Sequence, residues 1–317
     1  AEQDVFFAYA KSLKGAFGND LSISTTPITI WCSWYSRFTH ISDKLLQHDL
    51  AGLGDLPFDL FQIDDGWQQD IGDWYENQKF PVGLSPLVNA IHLTGRRAGL
   101  WLAPLIASRS SHLFAEHADW FVHDASGKPI SAGFNWGQHL YALDLTHPQV
   151  IEWVGATLKR FESLGFSYFK LDFLYAGALP GKRHLPMSGE AAYRYGLAKA
   201  LSGLRADTHI LFCGAPILAS AGLCHSMRIG PDVASLWESP RDAYLLANPA
   251  IPSTRNAIRT CQARMWLAPL YRLDPDVAYF AASHHTLSKE EAQILIALWQ
   301  NTGILAASDL PDWLTKS

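Results

Sequence analysis

Short apolar runs recur along the chain at intervals that suit buried strands. They occupy residues 28–34, 58–64, 98–104, 168–172, 209–214, 226–230, 265–271 and 303–307. Most are continuously apolar rather than alternating, as expected for strands with both faces buried. Stretches with helical apolar spacing lie between most of them, and the clearest span 45–53, 150–164, 188–204 and 289–300. Strand–helix alternation repeated eight times predicts an α/β fold, a (β/α)8 TIM barrel.

The pattern also divides the chain. We assign residues 28–317 to the barrel and residues 1–27 to an N-terminal lead-in segment, either a docked helix or the remnant of an upstream domain. The third and fourth predicted strands are joined by a long connection, about residues 105–167. It contains a polar, aromatic section at 133–138 (GFNWGQ). A long loop of this kind is often functional.

Composition narrows the class of protein. With 48% hydrophobic and 17% charged residues among 317, the chain supports a substantial core. The net charge of −5 comes from scattered residues of both signs, which argues against a nucleic-acid partner. The start of the sequence shows no signal-like segment, and the apolar run at 294–299 is too short to span a bilayer. We therefore expect no membrane partner and a cytoplasmic location, with secretion of a processed form left open.

Cysteine and histidine patterns give no support for a metal site. The four cysteines, Cys32, Cys213, Cys224 and Cys261, form no C-x-x-C pair and match no zinc spacing. We expect them to be buried, reduced thiols. The 13 histidines include no H-E-x-x-H motif.

Adjacent carboxylates, Asp64 and Asp65, end the second predicted strand, with Trp67 close behind. Adjacent buried carboxylates repel each other, so each needs partners that satisfy it. Sugar hydroxyls are suitable partners, because one carboxylate accepts hydrogen bonds from two neighbouring hydroxyl groups. The alternative is that one of the pair caps the following loop or binds an arginine.

Two further aspartates end predicted strands four and six. Asp172 lies two residues after Lys170, so both side chains share the interior face of the strand. We expect Asp172 to neutralise this lysine and to be ionised, as a nucleophile requires; a simple interior ion pair is the alternative. Asp232 follows Gly230-Pro231, with Arg228 near the same strand end, and is either a general acid or a helix N-cap. Two carboxylates among aromatic residues suggest glycosidic bond cleavage.

Six motifs, taken in order, resemble the catalytic barrel of glycoside hydrolase family 36, the bacterial α-galactosidases or melibiases. They are 31–35 (WCSWY), 61–67 (FQIDDGW), 99–104 (GLWLAP), 169–173 (FKLDF), 213–216 (CGAP) and 228–232 (RIGPD). The resemblance implies a retaining mechanism without metal or organic cofactor, acting on a small α-galactoside. It makes Asp172 the nucleophile and Asp232 the general acid/base. The other implied residues bind the sugar or line its pocket: Asp64, Asp65, Trp101, Lys170, Arg228, Trp34, Tyr35 and Cys213.

The chain departs from the family in one respect. Family members usually carry β domains before and after the barrel, and we expect this sequence to lack both. Apolar surface that such a domain would cover favours a homo-oligomer. The alternatives to an α-galactosidase are an α-N-acetylgalactosaminidase, a galactosyl transferase of the raffinose-synthase kind, and a galactose-binding barrel without catalysis. A metal-dependent barrel hydrolase would need ligand clusters at strand ends, where few of the histidines lie.

Overall fold

A computed structural model describes residues 2–17, 26–239 and 252–314. Ten α-helices are present in these residues. They are α1 Glu2–Ala16, α2 Trp34–Arg37, α3 Asp43–Gly52, α4 Ser85–Leu93, α5 His112–Glu116, α6 Pro148–Ser163, α7 Gly189–Leu201, α8 Thr254–Arg264, α9 Lys289–Gln300 and α10 Pro311–Leu314. The four predicted helices correspond to α3, α6, α7 and α9.

A single parallel sheet of nine strands forms the centre of the fold. Its strands in chain order are β1 Ile28–Cys32, β2 Leu60–Ile63, β5 Arg97–Leu102, β9 Phe166–Leu171, β10 His209–Phe212, β11 Ser226–Arg228, β12 Arg272–Asp274, β13 Val277–Ala278 and β14 Ile304–Ala307. Their order in space is β12-β11-β10-β9-β5-β2-β1-β14-β13. From β1 to β12 each strand lies beside its predecessor in the sheet, and β14 lies beside β1, as in a (β/α)8 barrel, which confirms the predicted fold class.

The two ends of this sheet are two pieces of the seventh barrel strand. β12 pairs with β11, and β13 pairs with β14, while only Pro275 and Asp276 separate the pieces. Asp276 has a φ of +83°, a backbone conformation that non-glycine residues rarely adopt. The strand therefore breaks where its chain passes from one neighbour to the other.

The prediction for this seventh strand was wrong. Residues 265–271 contain a 3₁₀ turn, Met265–Leu267, and the strand begins at Arg272. The apolar side chains of 265–271 pack against the barrel from outside, and helix α1 lies on them, with the Phe6 ring 5.4 Å from the Trp266 ring. The other seven predicted segments each overlap a barrel strand.

Two small antiparallel sheets occupy loops of the barrel. β3 Gln68–Asp70 and β4 Asp73–Glu76 form a hairpin after β2. β6 Ile106–Ser108, β7 Ser131–Asn135 and β8 Gln138–Ala142 form a three-stranded sheet in the order β6-β8-β7. This second sheet gives structure to the long connection between β5 and β9, where the sequence predicts a functional loop.

Local signals in the sequence explain where several helices begin. The side chains of Ser42, Ser188 and Ser288 accept hydrogen bonds from backbone N–H groups at the starts of α3, α7 and α9. Pro148 occupies the first turn of α6.

All four cysteines are buried and free, as predicted. Of the predicted lead-in segment, residues 2–17 and 26–27 are described, and helix α1 takes up most of residues 2–17; residues 1 and 18–25 lie outside the described part. Within the described residues, no helix is both long and apolar enough to cross a membrane.

Candidate active site

Asp64 and Asp65 follow strand β2 at the carboxyl end of the barrel, and each is only 2% exposed. The Asp64 carboxylate accepts hydrogen bonds from Gln62 Nε2 at 2.6 Å and from the Asp65 backbone N–H at 3.0 Å. The Asp65 carboxylate accepts from Gln68 Nε2 at 2.6 Å and from Trp136 Nε1 at 2.8 Å. Burial raises the pKa of Asp65, and these two hydrogen bonds act in the opposite direction. The two carboxylates are thus removed from water, and each accepts hydrogen bonds from its own set of donors.

Lys170 binds Asp64 rather than Asp172, so the predicted partner was wrong. Its Nζ lies 3.0 Å from Asp64 Oδ2, and both side chains are buried. Burial lowers the pKa of Lys170, but the nearby negative charges, with Asp64 first among them, together outweigh this and hold the pKa well above its ordinary value. The lysine therefore remains charged, and it neutralises one of the two adjacent carboxylates.

Asp172 directly follows β9, and both of its carboxylate oxygens are held by N–H donors. Trp101 Nε1 donates to Oδ2 at 3.1 Å, and the Phe173 backbone N–H donates to Oδ1 at 2.7 Å. Phe173 has a φ of +54°. Gly214 has a φ of +55°, and a Cβ added there would lie 3.3 Å from Asp172 Oδ1. Glycine at 214 therefore leaves room for the carboxylate of Asp172.

Arg228, at the end of β11, is surrounded by three carboxylates. Its Nε donates to Asp274 Oδ2 at 2.8 Å, its Nη2 lies 2.9 Å from Asp276 Oδ1, and its Nη1 donates to Asp232 Oδ1 at 3.3 Å. The guanidinium group is buried, as are Asp274 and Asp276. Burial lowers the pKa of Arg228, but its carboxylate partners outweigh this and keep it well above the ordinary value.

Asp232 is the accessible member of this group, with half of its side chain exposed. Its pKa is nevertheless raised, first because surrounding protein removes water from part of the carboxyl group and second because Asp172 adds negative charge. Arg228 opposes this shift without cancelling it. Asp232 therefore combines access to solvent with a tendency to hold a proton.

Tyr35 reaches the site through Asp276. Its hydroxyl donates a hydrogen bond to Asp276 Oδ2, which also accepts from the Val233 backbone N–H at 2.9 Å. Burial raises the pKa of Asp276 to about 7, against the effect of Arg228. The tyrosine and the loop that carries Asp232 are thus joined through one carboxyl group.

The remaining predicted residues lie nearby with fewer direct contacts. Cys213 is buried, and the pKa of its thiol is raised by burial and then by the Asp172 charge. Trp34 is partly buried, precedes Tyr35, and meets the Phe38 ring edge-on at 5.2 Å. The structure brings nine of the ten predicted residues into a connected set of contacts and charges, whereas Trp34 joins it only through its sequence neighbour.

Sequence reasoning missed several residues that support the site. The sequence pattern marks the polar, aromatic section 133–138 but does not single out Trp136 within it. Asp274 and Asp276 are not among the predicted site residues, yet both contact Arg228: Asp274 ends β12, and Asp276 lies in the break between β12 and β13. Gln62 supports Asp64 from the interior face of β2, and no signal in the sequence distinguishes it from an ordinary strand residue.

Asp64→Asn and Asp65→Asn are expected to separate structural from ligand roles. Asp64→Asn leaves Lys170 buried without its counter-ion, so the free energy of unfolding should fall by about 3–5 kcal/mol. Asp65→Asn leaves neutral donors behind and should cost only about 1 kcal/mol, while lowering turnover of a sugar substrate. Chemical denaturation and steady-state kinetics on both variants check this. Equal stability losses would contradict the assignment.

These features together define a class: a (β/α)8 barrel whose strand ends carry carboxylates among tryptophans, the kind of site that glycoside hydrolases use. The melibiase family model matches residues 11–208, more than half of the chain. The chain belongs to the melibiase family. The resemblance to glycoside hydrolase family 36 is thereby confirmed.

Individual relatives agree with this assignment. Alpha-galactosidase 2 of Pediococcus pentosaceus is 29% identical over 203 residues, which is 60% of this chain and 28% of that protein. The structure of the α-galactosidase TtGalA from Thermus thermophilus in complex with stachyose is 43% identical, with a TM-score of 0.89, over 98% of this chain and 66% of that one. AgaA from Geobacillus stearothermophilus shares the fold at 16% identity, with a TM-score of 0.67 over 96% of this chain and 42% of its own. The chain thus spans little more than a quarter of the first curated relative.

Proposed function

We propose that this barrel hydrolyses terminal α-linked galactosides with retention of configuration. The observation that carries the proposal is that Asp172 and Asp232 follow strands β9 and β11, on either side of β10, and that the two carboxyl groups are held differently. Asp172 has both oxygens fixed by N–H donors, whereas Asp232 is half exposed with a raised pKa. These are the environments that a nucleophile and a general acid require.

The chemistry follows from these two environments. Asp172 attacks the anomeric carbon and forms a glycosyl ester, while Asp232 gives its proton to the departing oxygen. In the second step Asp232 removes a proton from a water molecule while that water attacks the same carbon. This breaks the ester bond and frees the Asp172 carboxylate. Asp64 and Asp65 accept hydrogen bonds from sugar hydroxyls, and Trp101 packs on the ring. Galacto-oligosaccharides are the substrates we infer, in keeping with the T. thermophilus enzyme solved with stachyose and with p-nitrophenyl α-D-galactopyranoside.

A second specificity has one observation in its favour. The A type blood α-D-galactosamine galactosaminidase of Flavonifractor plautii is 30% identical over 159 residues, covering 46% of this chain and 14% of that protein. The two sugars differ at the 2-position, so the residues around that position decide between them. The higher identity and coverage of the T. thermophilus enzyme favour galactose.

Four 4-nitrophenyl glycosides test the proposal: the α-galactoside, α-N-acetylgalactosaminide, α-glucoside and β-galactoside. We expect clear preference for the α-galactoside, with α-galactose as the first product by proton NMR. Preference for the N-acetylated sugar would replace galactose with a sugar that carries nitrogen at the 2-position, the feature that N-acetylgalactosamine shares with galactosamine. If a folded protein turns over none of the four, calorimetry with galactose distinguishes a binding barrel from a protein without a sugar site.

A further inference from the structure

The β7–β8 hairpin ends in a two-residue loop, Trp136-Gly137. Asn135 and Gln138 pair across it, so no other residue belongs to the loop. The φ angles of Trp136 and Gly137 are +50° and +75°. Positive φ at both positions is the signature of a type I′ turn, the tight turn that matches the twist of a hairpin.

Tryptophan is an unusual residue for the first position of such a turn. Asn, Asp and Gly are favoured there, because bulky side chains are strained at positive φ. The Asn135 side chain supports the turn by accepting a hydrogen bond from the Trp136 backbone N–H at 2.8 Å. Strained backbone tends to be kept where it serves a site, so the question is what the Trp136 side chain contacts.

The Trp136 side chain lies between two parts of the active site. Its Nε1 donates to Asp65 Oδ2 at 2.8 Å. Its ring centroid is 6.2 Å from that of Trp101 and 5.2 Å from that of Phe173. Trp101 donates to the Asp172 carboxylate, and Phe173 follows Asp172 in the chain. Trp136 therefore joins a predicted sugar-binding carboxylate to the groups around the nucleophile.

The hairpin that carries Trp136 is fixed to neighbouring loops of the barrel through both of its strands. Tyr175, in the loop after β9, donates from its hydroxyl to the Ala132 carbonyl at 2.5 Å. On the other strand, Gln138 Oε1 accepts from the Ser110 hydroxyl at 2.9 Å. These contacts hold both strands of the hairpin, so the position of the indole ring is set by the scaffold and not by Asp65 alone.

Building on the proposed function, we propose that Trp136 is a positioning residue for sugar binding: its indole N–H orients the Asp65 carboxylate, and its ring forms a wall of the pocket with Trp101 and Phe173. Asp65 retains unused acceptor capacity on both oxygens, since each accepts one side-chain hydrogen bond. The carboxylate thus presents its free lone pairs to a ligand in one orientation.

Loss of the indole N–H also has a consequence for pH dependence. Asp65 is faced by Asp64, whose charge raises its pKa, and by Lys170, whose charge lowers it, and its own charge acts on Lys79. The Trp136 hydrogen bond lowers the pKa of Asp65, so removing it moves that pKa upward. The ionised carboxylate, which accepts sugar hydroxyls, is then lost at a higher pH, and the acid limb of kcat/KM moves upward too.

Three variants test the proposal. Trp136→Phe keeps a ring but removes the N–H, and Trp136→Asn removes both while supplying a residue that suits the turn. Phe134→Ala, which changes an exposed ring on the same hairpin, is the matched control. We expect Trp136→Phe to lower kcat/KM roughly tenfold, mostly through KM, with the acid limb displaced upward. Trp136→Asn should lose roughly a hundredfold with an unchanged or higher Tm, and Phe134→Ala should match the wild type.

The readouts distinguish failure of this proposal from failure of the proposed function. Calorimetric galactose binding by wild type and variants accompanies the kinetics. Normal KM, pH profile and galactose affinity in both Trp136 variants would overturn the positioning role and leave the function standing. A wild type that neither turns over the α-galactoside nor binds galactose overturns both. If Trp136→Asn lowered Tm together with kcat/KM, the residue would be assigned to folding of the hairpin instead.

Discussion

Asp172→Ala is expected to abolish turnover of 4-nitrophenyl α-galactoside, with a fall in kcat of at least about 10⁴-fold. The physical reason is that no other carboxylate takes its place. Asp64 is engaged by Lys170, and Asp232 is held at Arg228 on another strand end. Steady-state kinetics check the loss. Asp207→Ala, which removes an exposed carboxylate far from the site, is the control and should leave kcat unchanged.

Azide makes this prediction specific for a nucleophile. Truncation to alanine leaves space on the face of the sugar that the carboxylate would attack, and azide fits there. We expect partial recovery of turnover and formation of β-galactosyl azide, because azide enters from the side opposite the leaving group. An α-galactosyl azide would place the nucleophile elsewhere. The Tm of Asp172→Ala should match that of the wild type, so that the loss of turnover is not caused by loss of the fold.

Much of the fold could be predicted from the sequence because barrel strands are buried on both faces. Seven apolar runs overlapped strands for this reason. The seventh strand was misplaced, because its true residues include Arg272 and Asp274, which look polar in sequence. Asp274 is buried at the Arg228 guanidinium, a partner from the neighbouring strand. The apolar pattern of a short segment does not reveal such a partner. The adjacent apolar run at 265–271 instead packs outside the barrel.

The same limit applies to the site. Strand-end position predicts that the aspartates lie at one edge of the barrel, since parallel strands present their carboxyl ends there. It did not determine which charges pair. Lys170 and Asp172 share a strand face, yet the lysine reaches Asp64 across the barrel interior. Trp136 comes from a hairpin tip more than sixty residues from its hydrogen-bond partner Asp65, and only folding of the long loop brings them together.

Arg228→Met should be strongly destabilising, as Asp64→Asn is expected to be. It leaves Asp274 and Asp276 buried without the cation that both contact. We expect the free energy of unfolding to fall by about 3–5 kcal/mol, measured by chemical denaturation. Arg37→Met is the matched control: it removes a cation from a single buried carboxylate, Asp49, and should cost less. Equal losses in the two variants would contradict a special role for the three-carboxylate arrangement.

The stability loss in Arg228→Met should also depend on pH and should increase as pH rises. The pKa of Asp276 is already raised to about 7 by burial, and Arg228 is the main group that restrains it. Removing the arginine moves that pKa higher. A carboxyl group whose folded-state pKa lies above its unfolded value stabilises the fold at low pH and loses this contribution as pH rises to the folded pKa. At pH 5 the group is mostly protonated in both folded proteins, so the extra loss is small.

At pH 8 the two proteins diverge. Wild-type Asp276 has largely ionised and its contribution has stopped changing, whereas the variant continues to lose stability because its carboxyl group is still protonated in the fold. The stability difference between Arg228→Met and wild type should therefore be larger at pH 8 than at pH 5. In Arg228→Met combined with Asp276→Asn, this pH-dependent part should disappear. A difference that stayed constant or shrank with rising pH would show that Arg228 does not restrain the Asp276 carboxyl group.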